Sequence, residues 1–112
     1  MQLDNTLIAL ADPTRRAILE RLTQGTAKVT EVAAPFPISL NAISKHIRIL
    51  ERAGLVQRRI SGRDHLLSLN QQPLDETAAW IERTRAFWTS RLDGLEALLK
   101  AEDAITKAKG QE

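Results

Sequence analysis

The sequence predicts a mainly α fold in which a short helix, a tight turn and a second helix are followed by a two-stranded hairpin and a long terminal helix. Three observations carry that prediction. Apolar residues recur at helical spacing in "LDNTLIAL", "AILERL" and "ISKHIRIL"; two short runs, "GLVQRRI" and "HLLSL", flank the turn "SGRD"; and a nearly unbroken heptad seam runs from residue 74 to residue 99.

In chain order, Leu3, Leu7, Ile8 and Leu10 give a first helix near residues 2–10 that ends at "ADPT". There Asp12 can cap a second helix while Pro13, which has no amide proton to lose, takes its first position; Ile18, Leu19 and Leu22 form its buried stripe, and Gly25 stops it. A helix of one or two turns starts near Thr30 and cannot enter the Pro35 to Pro37 segment. Ser39 caps the next helix, whose core face is Ile43, Ile47 and Leu50 and whose end is Gly54. The opposite face carries Asn41, Lys45, Arg48 and Arg52, with Ser44 on its flank and Ile49 at its far edge. The hairpin follows at once, with Gly62 supplying the positive φ of a tight turn and Arg63 at its tip.

From Pro73 to about residue 103 the chain reads as one helix. Its seam is Leu74, Ala78, Ile81, Arg85, Trp88, Leu92, Leu95 and Leu99, roughly 39 Å long at the usual rise, and only Arg85 breaks it. A domain this small cannot cover such a helix, so a partner subunit is expected. One domain is predicted over residues 1–105, and the polar segment 106–112 is expected to be a disordered tail.

Composition narrows the chemistry. The chain has no cysteine, which excludes disulfides, thiolate zinc sites and cysteine nucleophiles, and two histidines are too few for an all-histidine metal site. Neither histidine has an acid at a spacing that suggests a dyad, and there is no Gly-rich phosphate loop. No enzyme, metal or cofactor is therefore expected. The first residues lack a signal-peptide pattern and no stretch approaches a membrane span, so a cytoplasmic protein without membrane contact is predicted. The net charge of +2 is small, but its distribution is uneven. Between Ser39 and Leu69, Lys45, Arg48, Arg52, Arg58, Arg59 and Arg63 face only Glu51 and Asp64, which is 6 − 2 = +4 and leaves −2 for the remainder. Cations concentrated on a second helix and the hairpin after it make a winged helix-turn-helix, whose helix enters the major groove and whose wing reaches phosphate or the minor groove.

"ADPTRRAILERL", "VTEVAAPFPISLNAISKHIRILERAGLVQRRISGRDHLLSLN" and "FWTSRLDGLEALL" resemble the ArsR/SmtB family of winged helix-turn-helix transcriptional repressors over nearly the whole chain. The resemblance implies a homodimer, joined by its first and last helices, that binds a pseudo-palindromic operator in double-stranded DNA and often controls its own promoter. On this chain the interface falls on Leu3, Leu7, Trp80, Ile81, Trp88, Leu92, Leu95 and Leu99. Ser39, Ser44 and His46 fall on recognition-helix positions of the family, and Arg58, Arg59, Gly62 and Arg63 on its wing. The chain departs from the thiolate-using members, reading Glu31, Val32, Ala33, Ala34 where they carry a cysteine pair, and its last helix has none of the histidines of zinc-sensing members. It is similar to the cysteine-free branch, with no effector assigned. Leu40 stands where many members have glutamine, so no operator transfers from them.

The residues divide by chemistry. Lys45, Arg58, Arg59 and Arg63 supply phosphate affinity; Ser39, Asn41, Ser44 and Arg48 supply base readout. Ser39 doubles as a cap. His46 lies toward the core flank of the wheel, where packing and DNA contact both remain open, and Ile49 can meet a thymine methyl or simply edge the helix. His65 reads as a strand surface residue, Arg15 and Arg16 as solvated or intersubunit-paired in preference to phosphate contacts, and Trp80 and Trp88 as core or interface rather than a ligand pocket. The alternative function is a winged-helix protein-interaction module without specific DNA binding.

Overall fold

In the computed structural model, which describes residues 3–110, the order of elements is α1 (Leu3–Leu10), α2 (Pro13–Leu22), β1 (Ala27–Lys28), α3 (Val29–Ala33), α4 (Leu40–Arg52), β2 (Val56–Ser61), β3 (Asp64–Leu69) and α5 (Gln72–Gly110). Gln2, where the first helix was expected to start, lies outside the described residues, as do residues 111 and 112 of the expected tail. By its internal packing the chain divides into two units, Met1–Thr77 and Ala78–Glu112.

Local chemistry accounts for each boundary in the first unit. The Asp12 carboxylate accepts from the Arg15 amide at 3.0 Å and Pro13 occupies the first turn of α2. Ser39 Oγ accepts from the Ala42 amide at 3.1 Å at the start of α4. Gly54, at φ +74°, ends α4 in a Schellman arrangement: its amide donates to Glu51 O at 2.9 Å and the Leu55 amide to Leu50 O at 3.0 Å. Gly62, at φ +63°, holds the first central position of the two-residue β2–β3 turn, which is where such a hairpin places glycine.

Ile18, Leu19 and Leu22 of α2, Val32 of α3, Ile43, Ile47 and Leu50 of α4, and Leu55, Val56 and Leu67 form one buried core. Each buried Ile or Leu side chain contributes about 1.5–3 kcal/mol, so α4 is held chiefly by its three. Leu74, in the first turn of α5, packs against the same core. Asn70 closes the base of the hairpin, its amide donating to Leu55 O at 2.8 Å and its Nδ2 to Gly54 O at 2.9 Å.

Two features differ from the sequence reading, the sheet and the length of the last helix. The sheet has a third strand: β1 pairs antiparallel with β3, Ala27 opposite Leu67, in the order β1-β3-β2. Two residues carry no periodicity that sequence reasoning can detect. In α1 the buried residues are Thr6 and Ala9, and Leu7, expected at an interface, is exposed together with Ile8. The helix that was expected to end near residue 103 continues to Gly110, so the backbone of 106–110, assigned to a disordered tail, is helical.

Within Ala78–Glu112 the described residues form the body of α5, and their large apolar side chains lie open: Trp80, Ile81, Phe87, Trp88, Leu92, Leu95, Leu98, Leu99 and Ile105 are all exposed. Phe87 and Trp88 meet edge to face at 6.0 Å, and the Arg91 guanidinium lies 5.1 Å from the Phe87 ring.

Candidate nucleic-acid interface

Because Ile43, Ile47 and Leu50 are fully buried, the helical period turns the opposite side of α4 outward. Asn41, Lys45, Arg48 and Arg52 are exposed there, and Ser44 is half-buried on the flank. Lys45, Arg48 and Arg52 line a shallow depression of about 190 Å³ around Ile49, which is itself half-buried and packed against the core. Ile49 is thus a floor between three cations, not a free apolar tip. Ser39 is exposed at the N-terminus of the helix; its oxygen already caps α4, which leaves its hydroxyl proton as a donor.

The wing is tied to α4 by one of the residues assigned to DNA. Arg58 faces the core side of the sheet, opposite Leu67, and its Nη2 donates to Glu51 Oε1 on α4 at 2.7 Å while its Nη1 lies 3.1 Å from His65 Nδ1. Arg58 and Glu51 side chains are each less than a third exposed. The other acid of the basic segment, Asp64, is met by Lys28 of β1 at 3.5 Å. Both acids among residues 39–69 are therefore neutralised locally. Lys45, Arg48, Arg52, Arg59 and Arg63 form no ion pair with described residues and are exposed, on two adjoining elements. Gly62 and Arg63 make the exposed tip of the wing, and Arg59 is exposed one residue along β2 from Arg58, on the opposite face of the sheet.

His46 lies half-buried at the edge of this surface, with the Nδ1 side of its ring turned toward α2. Its Nδ1 lies 3.2 Å from Arg15 Nη1 and 3.8 Å from Asp12 Oδ2. Asp12 has its pKa lowered, first by the hydrogen bond from the Arg15 amide and then by the charges that His46, when protonated, and Arg15 bring beside it, against the opposing effect of partial burial. Arg15 is only 9% exposed, contrary to the solvated or intersubunit role read from the sequence. Its Nε donates to Ala9 O and its Nη2 to Ile8 O, both at 2.9 Å, and Arg16 Nη1 donates to Leu10 O at 2.7 Å. The last carbonyls of α1, which a helix leaves without partners, are thus satisfied by two arginines of the next helix. No local pattern announces these contacts, because the partners of Arg15 and Arg58 are brought together only by the tertiary fold.

Among the described residues no group of three or more His, Cys, Asp or Glu side chains is gathered closely enough to hold a metal ion, and no helix is long and apolar enough to cross a membrane.

The comparisons with known proteins agree with this geometry. A helix-turn-helix domain family matches residues 10–59, which run from the end of α1 into the wing. The chain is 38% identical over 99 residues to the HTH-type transcriptional regulator Rv2034 of Mycobacterium tuberculosis, covering 88% of this chain and 90% of that protein. It is 34% identical to the transcriptional repressor SdpR of Bacillus subtilis, over 70% of this chain and 88% of that one. Its fold matches that of an ArsR-like transcriptional regulator from Rhodococcus sp. RHA1 with a TM-score of 0.78 and 32% identity, over 87% of this chain and 92% of that structure. Regulators, not enzymes, are what the chain matches across almost its full length. With a buried helix-turn-helix core, a basic outer face on α4 and a wing attached to it, the chain belongs to the ArsR family of winged helix-turn-helix, DNA-binding transcriptional regulators.

Proposed function

We propose that the chain is a homodimeric, sequence-specific repressor that acts in the cytoplasm on a pseudo-palindromic operator and controls its own promoter. The observation that carries this reading is the separation of the cations of residues 39–69 into one that is engaged by an acid of the fold, Arg58 with Glu51, and five exposed ones on α4 and the wing that form no ion pair with described residues. Lys45, Arg52, Arg59 and Arg63 then neutralise phosphate, while Ser39, Asn41, Ser44 and Arg48 address base edges. Arg58 serves this reading as the strut that fixes the wing against α4, in place of the direct phosphate contact expected from sequence. Repression is supported by the likeness to SdpR, a transcriptional repressor. Dimerisation is supported by the exposed seam of α5 and, separately in the first unit, by the exposed apolar residues Leu7 and Ile8 of α1. The folded domain over residues 1–105, with these helices as its interface, follows from the same reading.

Selection of binding sites from a pool of random duplexes tests it. The expected outcome is a two-fold symmetric sequence with half-sites about one helical turn apart, 10–10.5 base pairs, present upstream of the protein's own coding region. Recovery of no enriched sequence, with a monomer in sedimentation, would favour a protein-interaction module.

A further inference from the structure

We propose that Arg15 is a positioning residue that orients the His46 imidazole of the recognition helix through its Nδ1, leaving Nε2 to donate to the DNA backbone. This rests on the reading of α4 as the helix that enters DNA.

Two groups compete for the His46 Nδ1 position, and they demand opposite protonation. A guanidinium has only N–H donors, so Arg15 Nη1 at 3.2 Å requires Nδ1 to accept; a carboxylate can only accept, so Asp12 Oδ2 would require Nδ1 to carry a proton. Distance decides between them. Arg15 is within hydrogen-bond reach, whereas Asp12 at 3.8 Å is not and is already engaged by the Arg15 amide. The proton of the neutral ring is therefore on Nε2. That nitrogen has no partner among the described residues, and no buried side-chain nitrogen or oxygen among them lacks one, so Nε2 reaches solvent as an N–H donor. His46 lies one turn, three positions, from Ile49, which floors the depression lined by Lys45, Arg48 and Arg52. A phosphate oxygen is the acceptor such a surface gathers.

The hold on Arg15 comes from elsewhere. Its Nε and Nη2 are anchored to Ala9 O and Ile8 O at the end of α1, so the guanidinium that sets the imidazole is itself placed by α1. One buried side chain thus joins the end of α1, the start of α2 and the middle of α4.

The test uses the full-length protein with nitrogen-15 in its two histidines. At a pH where the rings are neutral, long-range proton-nitrogen spectra of the free protein are expected to show His46 as a single tautomer protonated at Nε2; Arg15→Lys, which keeps the charge but replaces the fork of three nitrogens by one, is expected to lose that single state. In anisotropy titrations on a mixed-sequence duplex, Arg15→Lys and His46→Phe should each weaken binding roughly five- to tenfold, the scale of one hydrogen bond. The double variant should bind no more weakly than His46→Phe alone, since Arg15 acts through the ring. A wild-type ring protonated at Nδ1 overturns the proposal without any variant. So does an Arg15→Lys protein that loses affinity while keeping the Nε2 proton, or effects that add in the double variant. Absence of duplex binding by the wild type overturns the DNA role, and with it the proposed function, independently of what the spectra report.

Discussion

The two units of this chain carry similar apolar periodicity and use it in opposite ways. In Met1–Thr77 the stripes of α2 and α4 are covered by other elements of the same chain, to the point that Ile18, Ile43, Ile47 and Leu50 have no exposed surface. In Ala78–Glu112 the seam of α5 leaves Trp88, Leu92, Leu95 and Leu99 each more than half exposed. The difference teaches that a heptad pattern identifies a helix that must be covered without saying by what. For α4 the cover lies within the chain; for α5 a second copy is the proposed cover.

The strongest way to break that contrast is to make the seam of α5 polar. Trp88→Glu with Leu95→Glu should abolish the dimer in sedimentation while the first unit stays folded, and operator affinity should fall at least about a hundredfold because the two half-sites are no longer linked. A dimer that survives these changes places the interface elsewhere.

The converse change is made in the first unit. Ile47→Ala, at a fully buried position of α4, should cost about 2–5 kcal/mol in urea unfolding. Leu92→Ala, on the open seam, should leave the unfolding of a dilute, monomeric sample almost unchanged. Equal losses at the two positions would mean that α5 is covered within the chain after all.

A finer contrast lies within the interface. Arg48→Ala should relax specificity by ~1–3 kcal/mol at one position of each half-site, whereas Arg59→Ala should weaken binding to all sequences and lower the salt slope by about 2, one contact being lost in each protomer. Anisotropy on the selected operator and on a scrambled duplex separates the two, and identical losses for both variants would erase the division between base readout and phosphate contact.

The smallest effect concerns Asp12. Its pKa is lowered in the folded chain below the ordinary value of 3.8, so its contribution to stability is complete above that value and is lost as the pH falls through it toward the folded value. Asp12→Asn, which retains a capping oxygen, should therefore be slightly less stable at neutral pH and should show a flatter acid limb in thermal unfolding. An acid limb identical to that of the wild type would remove the assigned role of the charge.

Much of this was legible in the sequence because the signals are local. The caps at Asp12 and Ser39, the glycines at 54 and 62 and the spacing of Ile43, Ile47 and Leu50 each depend on neighbours within four residues, and each element appears where they place it. What could not be read is long-range. Arg58 and Glu51 are seven positions apart, and so are Arg58 and His65, without sharing a helix or a strand in either pair. Arg15 and His46 are 31 positions apart. A count of cations predicts how many could meet phosphate, but only the fold shows which are already engaged. The two-residue β1 strand was missed for the same reason, since it exists by virtue of its pairing with β3.

The most direct test of the central claim, that outward cations on α4 and the wing bind DNA as a dimer, is the salt dependence of affinity for the selected operator beside its scrambled control. With four phosphate-directed cations in each of two protomers, the logarithm of the binding constant should fall against the logarithm of salt with a slope of roughly −5 to −7 on the operator. Affinity there should be at least about a thousandfold above the control. A slope near zero, or equal affinities for the two duplexes, would contradict the account.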